Sequence, residues 1–229
     1  MKKILTFNFR LFIFLMFACF CVELCAQSSF GLRANAGLSK MITKQDGNGF
    51  EQKFYFEPSW KAGVYFRKEF GKQSLLDIEV LFSRIGGKED YSVPVASATG
   101  PTKEYWILKF KRHISYLAIP LAYGFKSDRL LLKGGGQVAF GLDSDETFSY
   151  STNSSINLVV LYDESDRPEI ADFDYGFCVG FAYELTKNLS FEADYYHGLM
   201  NIYKGKSGKG NWKNRQITTG LCYAIFRTG

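Results

Sequence analysis

Apolar and polar residues alternate with a period of two in eight separate segments of the chain. The segments cover 30–40, 59–70, 74–84, 113–124, 129–141, 172–184, 189–198 and 214–226. Such alternation is typical of a β-strand whose two faces meet different environments. Each segment has 10 to 13 residues, and a tilted strand needs about 9–11 residues to cross a bilayer. The pattern therefore predicts eight strands that are long enough to span a membrane.

The connections between the predicted strands alternate between short and long. Three have 3 or 4 residues, at 71–73, 125–128 and 185–188. The other four have 15 to 30 residues, at 41–58, 85–112, 142–171 and 199–213. Bacterial transmembrane barrels have short turns on the periplasmic side and longer loops outside. We therefore predict an all-β fold, an eight-stranded antiparallel up-and-down transmembrane β-barrel.

Alternation alone does not decide which face of the barrel points inward, because a soluble lipocalin-like barrel alternates in the same way with its apolar residues inside. The polar face here combines glycine and alanine with isolated charges of both signs, unlike the Lys, Glu and Thr of a solvated strand. Small residues suit a crowded lumen, where an unpaired charge would cost several kcal/mol. We therefore expect the apolar face to contact lipid and the charges to pair inside.

The charges of the polar face are expected to form an ion-pair network across the lumen. Its predicted members are Arg33, Arg67, Asp77, Glu79, Lys133, Glu192 and Asp194. Eight strands enclose an interior that side chains are able to fill. The sequence therefore predicts a plugged lumen without a channel for large solutes.

The first 26 residues have the pattern of a secretory signal. Lys2 and Lys3 give a positive start, residues 11–18 are apolar, and Ala26 supplies a small residue at the end. We place cleavage after Ala26, which makes 27–229 the barrel domain. A retained membrane anchor is the alternative, but the apolar stretch is shorter than the about 20 residues of a spanning helix.

The composition excludes several other classes of protein. With 46% hydrophobic and 17% aromatic residues the chain is too apolar for intrinsic disorder. Part of its formal net charge of +5 lies in the signal segment, and we expect no nucleic-acid partner. Only Cys178 and Cys222 remain after cleavage, too few for a disulfide framework. A single disulfide bond between these two cysteines is an alternative that the sequence leaves open.

Alternation also continues inside two of the long connections. The segment 103–112 alternates with Trp106, Leu108 and Phe110 on one side, and the apolar parity changes near His113. A β-bulge near 111–116 would explain this change. The segment 155–162 is also rich in Val and Leu. We expect strands that continue beyond the membrane and build an interaction surface or a lid.

Four short segments carry a family resemblance: 30–37, 114–123, the glycine-rich 133–136, and 195–202. With these segments the chain resembles the PorT-like outer-membrane β-barrel proteins of Gram-negative bacteria. The resemblance implies a location in the bacterial outer membrane. At Ala118 the acidic residue usual in the family is absent, which removes one charge from the expected lumen. The association of PorT itself with protein secretion suggests an accessory role in a secretion system as an alternative function.

A catalytic site is the hypothesis that contrasts most with a structural role. His113 and Ser115 lie two residues apart and share a strand face, so a base and a nucleophile could meet there. Some outer-membrane barrels of this size modify lipid A with such a pair and a carboxylate. The carboxylate is missing from its expected place, since Asp128 lies in a turn on the opposite side of the membrane. We therefore predict no enzymatic activity and retain a lipid A-modifying enzyme as an alternative.

Two of the long loops carry opposite charge. Loop 142–171 holds seven acidic residues and one Arg, without a calcium-loop spacing, so we expect no metal and no cofactor. Loop 199–213 is basic and contains no acid. Its predicted contacts with lipopolysaccharide are Lys204, Lys206, Lys209, Trp212 and Lys213. Mutual attraction of the two loops over the barrel mouth is the alternative.

The expected partners are therefore outer-membrane lipid, lipopolysaccharide and a protein bound through the extracellular loops. The sequence predicts a structural, adhesive or partner-binding outer-membrane protein.

Overall fold

The computed structural model describes residues 27–44, 51–71, 73–97, 100–152, 170–204 and 211–228. The predicted signal segment lies outside these residues. Among them no helix is both long and apolar enough to span a membrane. Every named element of the described chain is a β-strand.

Within the described residues, nine strands form a single antiparallel sheet. They are β1 (Ser28–Lys44), β2 (Glu51–Tyr55), β3 (Glu57–Phe70), β4 (Ser74–Ser97), β5 (Gly100–Ser127), β6 (Leu130–Thr152), β7 (Phe173–Glu184), β8 (Leu189–Gly198) and β9 (Asn211–Arg227). Pairing of β1 with β9 and of β4 with β5 closes a ring of β1 and β3 to β9. The short β2 pairs only with β4. The predicted eight-stranded ring is confirmed.

The two ends of the ring differ in how their strands are joined. At one end, here called the turn end, tight turns join β3 to β4, β5 to β6, and β7 to β8. Gly71 (φ 65°) and Asp128 (φ 48°) supply the left-handed backbone that two of these turns require. All longer connections lie at the opposite end, here called the loop end.

Three strands are much longer than their apolar pattern predicted. The segment 85–112, counted as a long connection, is a hairpin in which β4 runs to Ser97 and β5 starts at Gly100, so the strand expected over 103–112 is present. Likewise, β6 continues to Thr152. The segment 155–162, where a further strand was expected, lies outside the described residues.

The change of apolar parity near His113 does not arise from a change in side-chain direction. Even-numbered residues of β5 point inward along the whole strand, from Trp106 to Ala122. Near the turn end the apolar residues are the outward, odd-numbered ones, whereas over 106–110 they are the inward ones. The outer face therefore changes from apolar to polar partway along a regular strand.

The same change occurs on the neighbouring strands at the same height. The outward row Phe82, Leu117 and Phe140 is aligned across β4, β5 and β6. Two residues nearer the loop end, the row Arg84, Ser115 and Asp143 follows. The register of β5 with β6 shifts between Ser115 and Tyr116, inside the range where we expected a bulge. The extra residue is Leu142 of β6, since Tyr116 faces Gly141 and Ser115 faces Asp143.

A belt of exposed large apolar side chains surrounds the ring below this row. It includes Leu32, Leu38, Val80, Leu121, Leu132, Val179, Ile217, Leu221 and Ile225. Charged side chains are buried instead, with Arg33 3% and Glu192 0% exposed. This distribution is the reverse of a soluble barrel and matches an apolar surface in contact with lipid.

The inside of the ring is apolar near the loop end. Met41, Ile85, Ile114, Ile202 and Trp212 belong to one buried cluster there. Residues that follow β8 return over the mouth, where the Ala171 amide donates to the Ile202 carbonyl and the Ile202 amide donates to the Trp212 carbonyl. Ile202 is thereby fully buried, and it covers the interior from the loop end.

Leu121 tests the outward direction of the apolar face. Its side chain is 52% exposed in the middle of the belt. We expect Leu121→Arg to lower the free energy of unfolding by about 2–4 kcal/mol, because a cation on the lipid face is costly near the bilayer midplane. Urea titration of the protein folded into phosphocholine vesicles measures the change.

Ser149→Arg is the matched control for this substitution. Ser149 is exposed on the part of β6 beyond the belt, so the change there should stay within about 0.5 kcal/mol. Equal tolerance of both substitutions would show that the apolar face does not contact lipid.

Candidate functional site

The middle of the ring holds a group of buried charges, here called the lumen charge cluster. Its members are Arg33, Lys61, Arg67, Asp77, Glu79, Lys133, Glu192 and Asp194, and each side chain is at most 8% exposed. They lie on β1, β3, β4, β6 and β8 at inward positions. The structure therefore brings all seven residues predicted for the lumen into one cluster.

Glu192 is the centre of the cluster. Its carboxylate accepts ion pairs from Arg33 (2.9 Å), Arg67 (3.1 Å) and Lys133 (3.3 Å). These three cations reach it from three different strands, so one carboxylate links β1, β3 and β6 to β8. Such links require that the strands keep their register.

The remaining acids each have at least two cationic partners. Asp77 pairs with Arg67 and with Lys133, each at 2.9 Å. Glu79 pairs with Arg33 and, at 2.8 Å, with Lys133. Asp194 pairs with Arg33 and with Lys61, the latter at 3.5 Å. Four cations and four acids thus neutralise each other inside the ring.

Lys61 was missing from the predicted network. It lies on the same face of β3 as Arg67, six residues away, and is 6% exposed. A signal for it was present in the sequence, because the predicted network had three cations and four acids. A neutral cluster in a lumen that excludes water requires a fourth cation.

A small cavity lies among these charges. A cavity of about 10 Å³ is lined by Arg33, Lys61, Glu79, Lys133 and Asp194, among other residues. This volume holds about one water molecule. Towards the loop end, the Asn214 amide donates to Asp174 (2.8 Å) and to the Tyr116 hydroxyl (3.1 Å), and the apolar cluster follows.

A second feature extends from the ring at the loop end. We define the loop-end sheet as β2 with residues 85–97 of β4, 100–113 of β5 and 143–152 of β6. Aromatic rings follow one another across it: Tyr91 and Phe110 have centroids 5.7 Å apart, and Phe110 and Phe148 5.0 Å. The sheet therefore has an apolar face of its own outside the belt.

Arg112 joins the loop-end sheet to the ring. Its guanidinium pairs with Glu146 (2.5 Å) and Glu89 (3.3 Å) of the neighbouring strands. The same group lies 4.2 Å from the ring centroid of Trp212 on β9, a distance that suits a cation–π contact. Since Arg112 is only 8% exposed, these contacts hold the base of the sheet against the barrel.

The two sides of β6 differ in how far they pair with other described strands. Pairing of β6 with β7 ends at Phe140 and Phe173, whereas pairing of β6 with β5 continues to Thr152.

The residues predicted to contact lipopolysaccharide fall into different places. Trp212 is 6% exposed inside the mouth, where its ring lies 4.8 Å from that of Tyr203. The expectation that Trp212 lies on lipid is therefore wrong, because inward parity on β9 places it in the apolar cluster. Lys213, the next residue, points outward. Lys206 and Lys209 lie outside the described residues.

Lys204 contacts an acid of the facing segment. Its ammonium donates to Asp172 at 2.9 Å, and this hydrogen bond and charge hold the pKa of the exposed Asp172 carboxyl below its usual value. Asp172 is the first residue of the predicted strand 172–184, so Lys204 pairs with an acid next to loop 142–171 and not with one of the acids of that loop.

The candidate catalytic pair lies on the outer surface at the edge of the belt. His113 of β5 is paired with Asp145 of β6, and the Nε2 atom of His113 lies 3.9 Å from the Glu57 carboxylate. Two acids therefore lie near His113, whereas none was expected there from the sequence. Asp145 was missed because the continuation of β6 was not predicted. Both acids are paired with cations: Asp145 with Arg84 (2.7 Å) and Glu57 with Lys111 (2.8 Å).

The amino-acid sequence of the chain matches a known protein family. The family model described as "Outer membrane protein beta-barrel domain" matches residues 25–204. The chain belongs to this family. Members of it lie in the bacterial outer membrane, so the loop end is the extracellular end and the turn end is periplasmic. The loop-end sheet is from here on called the extracellular sheet.

Solved outer-membrane proteins show similar folds at low sequence identity. Ail, the attachment invasion locus protein of Yersinia pestis, solved with the heparin analogue sucrose octasulfate, is 13% identical over 87% of this chain and 99% of its own, with a TM-score of 0.41. Neisserial surface protein A is 12% identical over 87% and 99%, with a TM-score of 0.41. OprG of Pseudomonas aeruginosa is 14% identical over 87% and 95%, with a TM-score of 0.37. No curated protein sequence matches the chain.

Glu192→Gln tests the importance of the lumen charge cluster. The substitution leaves four buried cations with three acids, and we expect it to lower the free energy of unfolding by about 3–5 kcal/mol. Glu184→Gln at the periplasmic rim is the matched control. Glu184 is partly exposed beside Lys126 (3.0 Å) and Arg227 (3.3 Å), where a pair contributes roughly 0–1 kcal/mol. Urea unfolding in vesicles compares the two, and equal losses would argue against a special role of the cluster.

Proposed function

We propose that this outer-membrane barrel is a rigid anchor that presents the extracellular sheet to a protein partner, in an adhesive or structural role. The observation that carries the proposal is the continuation of β4, β5 and β6 as paired strands beyond the lipid-facing belt. Flexible loops would suffice to close a barrel. A sheet with its own aromatic face, fastened by Arg112, provides an ordered surface instead.

The outward side chains of the extracellular sheet favour a basic partner segment. On β6, residues 143–152 begin with Asp143 and Asp145 and continue with Thr and Ser at outward positions. A basic segment of the partner would complement this charge.

The barrel itself is proposed not to conduct solutes. Support comes from the size of the residual cavity in the lumen, about 10 Å³, and from the buried residues that cover it on the extracellular side. Incorporation into planar bilayers should accordingly give no stepwise conductance.

A photoreactive side chain at position 149 tests the partner-binding role. We expect p-benzoylphenylalanine in place of Ser149 to form an adduct of defined mass on irradiated intact cells, because Ser149 is exposed on β6 within the extracellular sheet. The same group in place of Lys187, in a periplasmic turn, should form no adduct of that mass.

A shortened variant provides the second arm of this experiment. Gly87 and Arg112 are paired across β4 and β5, so an Asn-Gly turn between them replaces 88–111 without changing the register. Heat-modifiable migration should persist, whereas the adduct from position 149 should disappear. Failure of the full chain to form the adduct would contradict the proposal.

An accessory role in a protein secretion system is the second proposal, and it is supported by the PorT-like resemblance of the sequence. It predicts stable partners within the envelope rather than outside the cell. Co-purification from detergent-solubilised outer membranes, followed by mass spectrometry, distinguishes this role from display at the surface.

We also propose that the protein is not a lipid A-modifying enzyme, because the acids near His113 are occupied by Arg84 and Lys111. Cells that produce the wild-type protein and cells that produce Ser115→Ala should therefore contain the same lipid A. Mass spectrometry of extracted lipid A makes the comparison. A change in acylation that requires Ser115 would establish the enzymatic alternative.

A further inference from the structure

Three side chains lie side by side on the outer surface of neighbouring strands. Lys40 of β1 is aligned with Arg215 of β9, and Arg215 is aligned with His197 of β8. All three are at outward positions and are partly exposed. Lys213 lies two residues further along β9 in the extracellular direction. We call these four residues the basic row.

The basic row lies directly above apolar surface. Two residues closer to the periplasm, Leu38 and Ile217 are paired and each is 50% exposed. A step of two residues along a strand is about 7 Å. The cations are therefore at the level where the belt ends, next to the place that acyl chains occupy.

His197 is held in a defined orientation at one end of the basic row. Its ring stacks on Phe177 with a centroid separation of 4.5 Å. Its Nδ1 is hydrogen-bonded with the Tyr195 hydroxyl at 2.9 Å. Aromatic groups of this kind are typical of the membrane interface.

Within the described part of the chain, no acid neutralises the charge of the basic row. Like charges directly opposite each other on neighbouring strands destabilise a sheet, yet Lys40 and Arg215 occupy such positions. Neither Lys40 nor Lys213 forms an ion pair with any residue that the structure describes. Among the same residues, the Arg215 guanidinium donates to two backbone carbonyls, those of Gly198 (2.6 Å) and Asn214 (2.7 Å).

Other outward cations near this level do have acidic partners. Arg84 pairs with Asp145, Lys111 with Glu57, and Lys204 with Asp172. Two of these pairs join residues of β3 to β6, and the third joins the residue before β7 to a residue that follows β8. Among the described residues, the outward cations of β8, β9 and β1 are therefore the ones that carry an excess of positive charge.

We propose that the basic row binds a phosphate group of lipid A in the outer leaflet, with the acyl chains of that molecule on the apolar surface around Leu38 and Ile217. The positive charge favours an anionic ligand, and the adjoining apolar surface favours an anion that is attached to acyl chains. A soluble anion would contact the cations but not the apolar surface. The proposal rests on the outer-membrane location and makes strands β8, β9 and β1, rather than loop 199–213, the main contact.

Binding of purified lipid A to the full-length protein in a neutral detergent tests this proposal. We expect Lys40→Gln combined with Lys213→Gln and Arg215→Gln to raise the Kd for diphosphoryl lipid A at least tenfold. The matched control replaces Lys109, Arg129 and Lys187 by Gln, which removes the same charge elsewhere, and should change the Kd less than twofold. Heat-modifiable migration checks the fold of each variant.

Two further arms separate the possible sources of phosphate and the effect of folding. Monophosphoryl lipid A should bind the wild type more weakly than the diphosphoryl form, and millimolar inorganic phosphate should not displace either. Displacement by inorganic phosphate would show a site for a free anion and overturn the lipid assignment. The variant with only Lys40→Gln and Lys213→Gln keeps the hydrogen bonds of Arg215, and it should still weaken binding several-fold.

Unchanged affinity in both folded variants would overturn the proposal. This result would leave the display role untouched, since that role is measured by the adduct from position 149. Conversely, loss of that adduct would not alter the affinity for lipid A.

Discussion

Charge neutrality inside a narrow ring is the constraint on which the remaining structure depends. Because lipid surrounds the barrel, its apolar side chains point outward, and the polar side chains of the same strands are buried together inside it. Four cations and four acids form ion pairs with one another there. Glu192 bonds to cations from three strands, so a register slip of one residue would remove its partners and move charges into lipid.

Those features that follow from strand parity were predictable from the sequence. Alternation defined the eight strands of the ring and placed seven charges of the lumen on inward positions. Lys61 obeys the same parity and could have been included on the ground of neutrality. Trp212 also obeys strand parity. Its residue type favours the membrane interface, whereas its inward position on β9 places it in the apolar cluster.

The cause of the parity change near His113 could not be predicted from the sequence. A β-bulge and a change in the surroundings of a regular strand both move the apolar residues to the other face. Beyond the belt, the outer face of β5 meets water, and the apolar residues Trp106, Leu108 and Phe110 lie on the inner face. Because the continuation of β6 beyond residue 141 was not predicted, Asp145 was not placed beside His113.

The boundary between the apolar row Phe82, Leu117 and Phe140 and the polar row Arg84, Ser115 and Asp143 marks the extracellular end of the belt. The height of the extracellular sheet above the acyl chains is measured from this boundary. From Ser115 to Gly100 the strand β5 covers roughly 50 Å at about 3.3 Å per residue. With a tilt near 40°, its tip would stand about 35–40 Å above the acyl chains. Molecules that approach the cell would thus meet the hairpin tip well before the bilayer, at a distance governed by strand length.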